Sequence, residues 1–367
     1  MVRAEFWRCF KFGSRSNCSS HRVTVPGFSA GKNRAVQTRS GRKMGTHRNQ
    51  FGEQTMTRMR SVLAAGLFVL TATLPALPAR GDGPAPATSA GATPLAVKTE
   101  KDVVYDTIDK QELKLDICAP KESGSYPCIV LLHGGAWVGG SRKDLSVGPK
   151  GGASLIEEVA AKGYVVASVG YRLAPKHRFP AQIQDVRAAV RFLRANAKTY
   201  GIDRDKFAAA GFSAGGHLAL LLGLADKVAG WDAGSNLDQS SKVQCVVDFF
   251  GPTDLSLYNT EAILDAYLVP VFGKDAKTDK EVFKKASPVT YVSKTAPPVL
   301  IFHGTFDVVV PVVHSESLHK KLTDCGANCQ LVTLFGEGHG WTGRTFAKSL
   351  TQALTFLDTH LKGKEQK

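Results

Sequence analysis

Short, almost entirely apolar runs alternate with amphipathic stretches through most of the chain after residue 100. Such runs are typical of strands buried on both faces of a parallel sheet, because helices cover both sides of that sheet. The runs are residues 128–135, 164–171, 207–213, 243–251, 298–305 and 329–336. Two earlier segments, Lys101–Thr107 and Glu112–Ala119, flank a turn-like Asp-Lys pair and predict an antiparallel hairpin.

Between several runs, apolar residues recur at the spacing of an amphipathic helix, most clearly over 183–193 and 350–361. Eight strands with interleaved helices predict one α/β domain with a mostly parallel sheet and helices on both faces. An eight-stranded barrel is the alternative, but the opening hairpin has no helix between its strands, which argues against that repeat. The segment 251–295 is longer than a simple crossover and is expected to form a small cap region.

The charge of the chain is concentrated at its N-terminus. The formal net charge is +15, which would suit a nucleic-acid-binding protein. Residues 1–60, however, hold 13 Lys and Arg against 2 Asp and Glu, so most of the excess lies there. We therefore expect the rest of the chain to have no nucleic-acid partner.

The first hundred residues are predicted to form a leader and a linker. Residues 1–55 show no apolar period and are expected to be disordered or untranslated. Residues 56–80 combine a short basic start, an apolar run and small residues, which predicts a secretory signal peptide and export to the periplasm or the exterior. A membrane anchor is the alternative, but the apolar part is too short to span comfortably, so the mature protein should have no stable membrane span. Residues 81–100 are expected to be a linker and 101–367 the catalytic domain.

A signal peptide 55 residues inside a chain is unusual. We therefore expect the true start at Met56 or Met59. A basic organelle-targeting extension is the alternative, and a mature N-terminus before Met56 would favour it.

Five of the seven cysteines follow the predicted signal peptide, an odd number that cannot all pair. Cys325 and Cys329 flank a short loop and could close a small disulfide in an oxidising compartment. A zinc half-site is the competing interpretation, but no second ligand pair is spaced for it, so no metal is expected. The disulfide pairing stays open.

Residues 211–215 (GFSAG) match the pattern G-x-S-x-G, which is weak by itself. The sequence around the motif strengthens the match, because an apolar run precedes the motif and a helical segment, 217–225, follows it. Such a sharp strand-to-helix turn exposes the serine hydroxyl at the sheet edge, and the flanking glycines avoid clashes there. This context predicts Ser213 as a nucleophile.

A serine nucleophile needs a base, and in this fold type an acid and a histidine follow the serine in that order. Asp307 comes directly after the run 298–305 and is the predicted acid. Asp248 and Asp254 are alternatives, whose other role would be capping or loop hydrogen bonding. His339 lies in a glycine-rich loop after the last run and is the predicted base. The other downstream histidines lie in amphipathic stretches and are expected to face solvent: His314, His319 and His360.

The sequence HGGAW at 133–137 follows the first buried run and predicts an oxyanion-hole loop, since glycines let backbone N–H groups approach a substrate oxygen. The predicted donors are the backbone N–H groups of Gly134, Gly135 and Ala214. His133 is expected to hold this loop rather than to transfer protons. Trp137 and Tyr171, at the same edge, are candidates for shaping the substrate pocket, with simple packing as the alternative.

Five segments together carry a resemblance to a known family: HGGAW (133–137), GYRLAP (170–175), FPAQIQDVRAAVRFL (179–193), GFSAGGHLA (211–219) and HGTFDVVVP (303–311). They resemble the bacterial bifunctional feruloyl/acetyl esterase-like group, which is related to the hormone-sensitive lipase family. The resemblance covers roughly Val103 to Leu361. It implies an α/β-hydrolase fold, no cofactor, and carboxylic ester hydrolysis through an acyl-enzyme, with Ser213, Asp307 and His339 as nucleophile, acid and base.

Two positions depart from the hormone-sensitive lipase pattern. Ala136 replaces a common third glycine, and Phe212 replaces a common aspartate. Both occur in the feruloyl/acetyl esterase-like group, so they leave only the substrate open. Short-chain acyl esters, such as acetyl or feruloyl groups on carbohydrate, are the expected substrates, and short-chain lipid or xenobiotic esters fit equally well.

Two other functions remain as alternatives. A serine exopeptidase shares the fold and the triad order, but usually carries a propeller domain before it. A non-catalytic binding module on the same fold normally lacks a triad or oxyanion residue, whereas every such position is filled here.

Overall fold

Eight strands form one sheet in the computed structural model, which describes residues 93–148, 152–226, 228, 230–258, 261, 264–273 and 280–363. The strands are β1 (Val97–Ile108), β2 (Gln111–Pro120), β3 (Tyr126–Leu132), β4 (Val165–Val169), β5 (Ile202–Phe212), β6 (Cys245–Phe249), β7 (Val299–Gly304) and β8 (Cys329–Leu334). Their order in the sheet is β1-β2-β4-β3-β5-β6-β7-β8. The first two strands form the antiparallel hairpin and β2 pairs antiparallel with β4, whereas strands β3 to β8 are parallel. The predicted mostly parallel sheet of an α/β-hydrolase fold is confirmed, and the barrel is excluded.

Helices pack on both faces of this sheet. They are α1 (Lys143–Ser146), α2 (Leu155–Ala160), α3 (Ala181–Ala195), α4 (Ala197–Tyr200), α5 (Ala214–Leu224), α6 (Val269–Phe272), α7 (Lys280–Ala286), α8 (Val313–Asp324) and α9 (Gly343–Leu357). Single 3₁₀ or π turns occur at Leu255–Leu257, Leu264–Leu268, Pro288–Tyr291 and Asp358–Lys362. Side chains of β5 alternate between the two cores: Phe207 and Ala209 face α3 and α5, while Ala208 and Ala210 face α2 and α9. This alternation explains the near-continuous apolar runs.

Two boundaries differ from the sequence-based expectation. Residues 97–100 belong to β1 rather than to a linker, so the domain begins before Lys101. Strand β5 likewise begins at Ile202, five residues before its apolar run. Both extensions are mostly polar because one or both faces are partly exposed there, and an exposed strand carries no continuous apolar signal.

Residues 1–92, including the expected signal peptide, lie outside the described residues. Among the helices that are described, none has the length and apolar character needed to cross a bilayer. Cys325 and Cys329 both carry free thiols, so the small disulfide is not formed. The expected cap is represented by the described parts of 251–295, which form α6, α7 and short turns.

Candidate active site

The Ser213 backbone stands at the junction of β5 and α5 with φ 54° and ψ −118°, a conformation that residues with side chains rarely adopt. Its N–H donates to the Phe249 carbonyl of the neighbouring strand at 2.8 Å, and its own carbonyl accepts from the His217 N–H at 3.0 Å. A Cβ on Gly215 would lie 2.2 Å from the Leu132 carbonyl oxygen, so only glycine fits there. The turn therefore holds the Ser213 side chain at the carboxyl edge of the sheet.

Three of the predicted site residues form one hydrogen-bonded chain. Nε2 of His339 lies 2.9 Å from Oγ of Ser213, and Nδ1 of His339 lies 2.7 Å from Oδ2 of Asp307. Because a carboxylate only accepts, Nδ1 carries the imidazole proton, and Nε2 is left to accept the serine proton. The His339 ring also packs edge-on to Phe250, with ring centroids 4.8 Å apart.

The Asp307 carboxylate is buried and fully hydrogen-bonded. Its Oδ1 accepts from the backbone N–H groups of Val309 and Val310, at 2.9 and 2.8 Å. Burial by itself would raise the pKa of Asp307, but hydrogen bonds from His303, His339 and the Val310 N–H hold that pKa well below its usual range. The group is therefore ionised and able to orient the His339 imidazole.

The two alternative acids have other hydrogen-bond partners. Asp248 is fully buried on β6; its Oδ1 accepts from the Gly251 N–H at 3.0 Å, and its Oδ2 has no partner among the described residues. Asp254 caps the following 3₁₀ turn by accepting from the Ser256 N–H. Neither carboxylate is hydrogen-bonded to His339, whose carboxylate partner is Asp307.

His314 corrects one expectation, because it is completely buried rather than solvent-facing. Helix α8 packs against the loop after β6, where Nδ1 of His314 accepts from the Thr253 N–H at 3.3 Å. The Thr253 hydroxyl in turn donates to the His314 carbonyl at 2.5 Å. The pattern of apolar residues does not show when a polar residue lies on the inner face of a helix, so the burial of His314 was missed.

The loop after β3 packs directly against the serine turn. A Cβ on Gly134 would lie 3.1 Å from the Phe212 carbonyl oxygen and 3.4 Å from Cβ of Ser213. Gly135 adopts φ 115° and has no room for a side chain, since a Cβ would lie 2.2 Å from the Gly139 carbonyl oxygen. Among the described residues, no acceptor is hydrogen-bonded to the backbone N–H groups of Gly134, Gly135 and Ala214. These unpaired N–H groups belong to the two segments that meet at Ser213, as an oxyanion hole would require.

His133, Trp137 and Tyr171 support this loop from the protein interior. Tyr171 stacks on His133 with ring centroids 4.2 Å apart, and its hydroxyl donates to the His133 carbonyl at 2.8 Å. Nδ1 of His133 donates to the Gly134 carbonyl at 2.8 Å, and burial lowers the His133 pKa, as expected for an imidazole that holds the loop. Trp137 is 4 % exposed and Tyr171 is 6 % exposed, so packing rather than substrate contact describes both side chains.

Residues with supporting roles were missed at the sequence level. His217, on α5, accepts from Trp137 Nε1–H through Nδ1 at 3.2 Å, and donates from Nε2 to the Ala286 carbonyl at 2.7 Å. His303, at the end of β7, lies against Asp307. His217 lies in the segment 211–219, four residues after Ser213, and His303 lies in the segment 303–311, four residues before Asp307. Their positions in these two family-like segments could have identified them.

The arrangement has the parts needed for acyl transfer: a hydroxyl, a base oriented by a buried carboxylate, and unpaired N–H donors beside the hydroxyl. Among the described residues, no cluster of three or more His, Cys, Asp or Glu could hold a metal ion.

Comparisons with known proteins point in the same direction. The BD-FAE family model matches residues 115–322. Esterase LipC of Mycobacterium tuberculosis is 35 % identical over 233 residues, which are 62 % of this chain and 56 % of LipC. This chain spans about half the length of the curated relatives that it matches.

Two solved structures are similar over most of their own length. A truncated carbohydrate esterase from gut microbiota has a TM-score of 0.60 and 30 % identity, covering 71 % of this chain and 96 % of that one. Esterase 2 of Thermogutta terrifontis, phosphorylated by paraoxon, has a TM-score of 0.58 and 26 % identity, covering 71 % and 93 %.

Proposed function

The chain belongs to the BD-FAE family, and on that premise we propose that it hydrolyses carboxylic esters through a serine acyl-enzyme. The observation that carries the proposal is the continuous chain of hydrogen bonds from Ser213 through His339 to Asp307, at 2.9 and 2.7 Å. In this proposal Ser213 is the nucleophile, His339 the general base and acid, and Asp307 the group that orients the imidazole.

Acylation begins when Oγ of Ser213 attacks the ester carbonyl carbon and its proton passes to Nε2 of His339. The imidazolium that forms is stabilised by ionised Asp307, which accepts the Nδ1–H throughout. As the tetrahedral intermediate collapses, the carbon–oxygen bond to the alcohol breaks, and Nε2 gives its proton to the leaving alkoxide. The product of this half-reaction is an alcohol and an acyl ester on Ser213.

Deacylation repeats these steps with water as the nucleophile. Nε2 of His339 takes a proton from the water as its oxygen attacks the acyl carbon, and Oγ of Ser213 regains that proton as the carboxylic acid leaves. In both tetrahedral intermediates the negative oxygen would accept from the N–H groups of Gly134, Gly135 and Ala214. The N-terminus of α5 adds its positive dipole end at the same position.

Replacement of the nucleophile tests this proposal. Ser213→Ala should abolish turnover of p-nitrophenyl acetate and leave the melting temperature close to that of wild type. Ser293→Ala, which changes an exposed serine, serves as the matched control and should retain full activity. Incubation with paraoxon should add one diethylphosphoryl group to the wild-type peptide that contains Ser213. Activity of the Ser213→Ala variant near wild type would exclude Ser213 as the nucleophile.

The substrate class is proposed from the family and from one structural relative. That relative is named a carbohydrate esterase, which supports acetyl or feruloyl groups on carbohydrate as the natural esters. A panel of acetyl-xylan, methyl ferulate and p-nitrophenyl esters of increasing chain length would test this. Preference for long-chain p-nitrophenyl esters would argue against it.

Export is proposed from the leader-like composition of residues 56–80. N-terminal sequencing of the protein from its natural host should give a mature start after this segment. A mature start before Met56 would contradict export through this signal.

A further inference from the structure

Two imidazoles approach the same oxygen of Asp307 from different elements. Nδ1 of His339 lies 2.7 Å from Oδ2, and Nε2 of His303, at the end of β7, lies 3.3 Å from Oδ2. The side chains of His303 and Asp307 are both completely buried. The acyl-transfer steps above involve only the first of these imidazoles, so the presence of the second needs a separate explanation.

The hydrogen bonds of His303 determine which nitrogen carries its proton. Nε2 lies 2.7 Å from the Val310 carbonyl oxygen, which only accepts, so Nε2 must be protonated. Nδ1 lies 2.6 Å from Oγ of Ser315, whose hydroxyl can donate to it. Nε2 of His303 therefore carries a proton, with its N–H directed at the Val310 carbonyl and close to the Asp307 carboxylate.

Val310 connects this imidazole to the other carboxylate oxygen. The Val310 N–H donates to Oδ1 of Asp307 at 2.8 Å, while the Val310 carbonyl accepts from His303. His303 thus anchors the turn that supplies donors to Oδ1 and places a positive N–H dipole beside Oδ2. Rotation of the carboxylate away from His339 would disturb contacts on both of its oxygens.

We propose that His303 is a positioning residue that holds the Asp307 carboxylate in the orientation that binds His339. This inference rests on the proposed ester hydrolysis and adds a residue to it. Ser315 supports His303 in turn, because its hydroxyl is hydrogen-bonded to Nδ1 of His303 and keeps the ring from turning. The function assigned to His303 is therefore geometric and electrostatic, with no proton transfer of its own.

The surroundings of the cluster contain several other titratable groups. Those that face His303, Asp307 or their neighbours are Asp248 on β6, Asp254 and Tyr258 in the segment after β6, His314 on α8, and His339 in the loop after β8. Burial lowers the pKa of His314 to about 4, so that ring is neutral near pH 7. In the proposed reaction, His339 is the imidazole of this set that takes the serine proton.

The electrostatic role predicts a direction for the pH dependence. The Nε2–H dipole of His303 partly neutralises Oδ2 of Asp307. Without it, the carboxylate would attract a proton to the adjacent His339 ring more strongly. The acid limb of kcat/KM would then move to higher pH, which a purely structural role of His303 would not cause.

A pair of variants separates the two nitrogens of His303. The amide nitrogen of glutamine can replace Nε2–H, whereas asparagine reaches only the Nδ1 position. We expect His303→Asn to lower kcat about 10- to 100-fold with KM little changed, since a small misplacement of catalytic groups costs this much. Its acid limb should move up by about half a pH unit or more. His303→Gln should stay within about threefold of wild type with an unshifted limb.

The assay is hydrolysis of p-nitrophenyl acetate between about pH 5 and pH 9, with melting temperatures measured for every variant. If the Asn and Gln variants have equal kcat values and acid limbs at the same pH, the inference about His303 is wrong, while the proposed ester hydrolysis is unaffected. A wild-type protein that neither hydrolyses the ester nor is phosphorylated on Ser213 by paraoxon would overturn the proposed function and this inference with it.

Ser315→Ala keeps the test decisive if His303→Asn does not fold. That variant retains the imidazole and removes its Nδ1 partner, so the acid limb should shift in the same direction by a smaller amount. An unshifted limb in a folded Ser315→Ala protein would overturn the inference.

Discussion

At the scale of single residues, backbone conformation decides where the hydroxyl of Ser213, the proposed nucleophile, lies. Ser213 is held at positive φ, a conformation that costs of the order of 1–3 kcal/mol in a residue with a side chain. Hydrogen bonds from its N–H to Phe249 and from His217 to its carbonyl keep it there. The two glycines of the turn matter for a different reason, because backbone atoms occupy the space of a side chain.

Gly215→Ala should therefore destabilise the protein by about 1–3 kcal/mol, the usual cost of forcing an extra group into a packed site. Its Cβ would meet carbonyl oxygens of Leu132 and His133, both on backbone that cannot move aside cheaply. Urea denaturation would measure the change. Gly139→Ala is the matched control, since the nearest atom to its Cβ would be 3.8 Å away. Equal stability of the two variants would contradict the steric argument.

At the scale of elements, the loop at residues 133–137, which is the proposed oxyanion-hole loop, depends on contacts with other parts of the fold. Tyr171, which follows β4, bonds to the His133 carbonyl, and His217 on α5 accepts from Trp137. His217 also donates to the Ala286 carbonyl at the end of α7, and burial lowers its pKa to about 4, so it is neutral near pH 7. The loop, the serine helix and the segment after β6 are thus joined through one imidazole.

Trp137→Phe should lower kcat for p-nitrophenyl acetate by about 3- to 10-fold, because one buried hydrogen bond is worth about 0.5–1.5 kcal/mol. The loss of this bond would loosen the loop that presents the N–H donors. Trp231→Phe is the matched control, because Trp231 is equally buried but its Nε1 has no partner among the described residues. Both variants should lose some thermal stability, and only the first should lose kcat. Equal kcat in the two would argue against the proposed support.

At the scale of the whole molecule, the sheet buries an ionisable group that should make folding depend on pH. Burial raises the pKa of Asp248 to about 7, against about 3.9 in an unfolded chain. Between these two values the folded protein binds a proton that the unfolded chain does not bind. The free energy of unfolding should therefore rise as the pH falls from about 7 towards 4.

Asp248→Asn should remove this part of the pH dependence. In the wild type, Asp248 should make the free energy of unfolding about 2–3 kcal/mol larger at pH 5 than at pH 8. The variant should lack this part of the difference. Urea denaturation at both pH values would measure it. Asp205→Asn, which removes an exposed carboxylate, is the control and should leave the wild-type difference in place. A variant difference equal to that of wild type would contradict the assignment to Asp248.

Much of the fold was predictable because its signals are local. Each of the eight expected strands is present, since burial on both faces makes a strand apolar along its length. The exposed starts of β1 and β5 were missed for the same reason. The positions of Asp307 and His339, each after a strand, followed from the expected chain order. The hydrogen bonds that join His339 to Ser213 and to Asp307 could not be predicted from spacing.

Local sequence patterns predict the alternation of strands and helices, the tight turn at Ser213 and the glycines of the loop at residues 133–137. These depend on side-chain size, polarity and φ preference within a few residues. Three-dimensional packing brings Asp307 rather than Asp248 to His339, and it places His303 against Asp307. The same packing turns Trp137 and Tyr171 inward. Such contacts join residues on different strands and loops. They depend on how the parallel strands align and how the helices pack, which no single segment of sequence specifies.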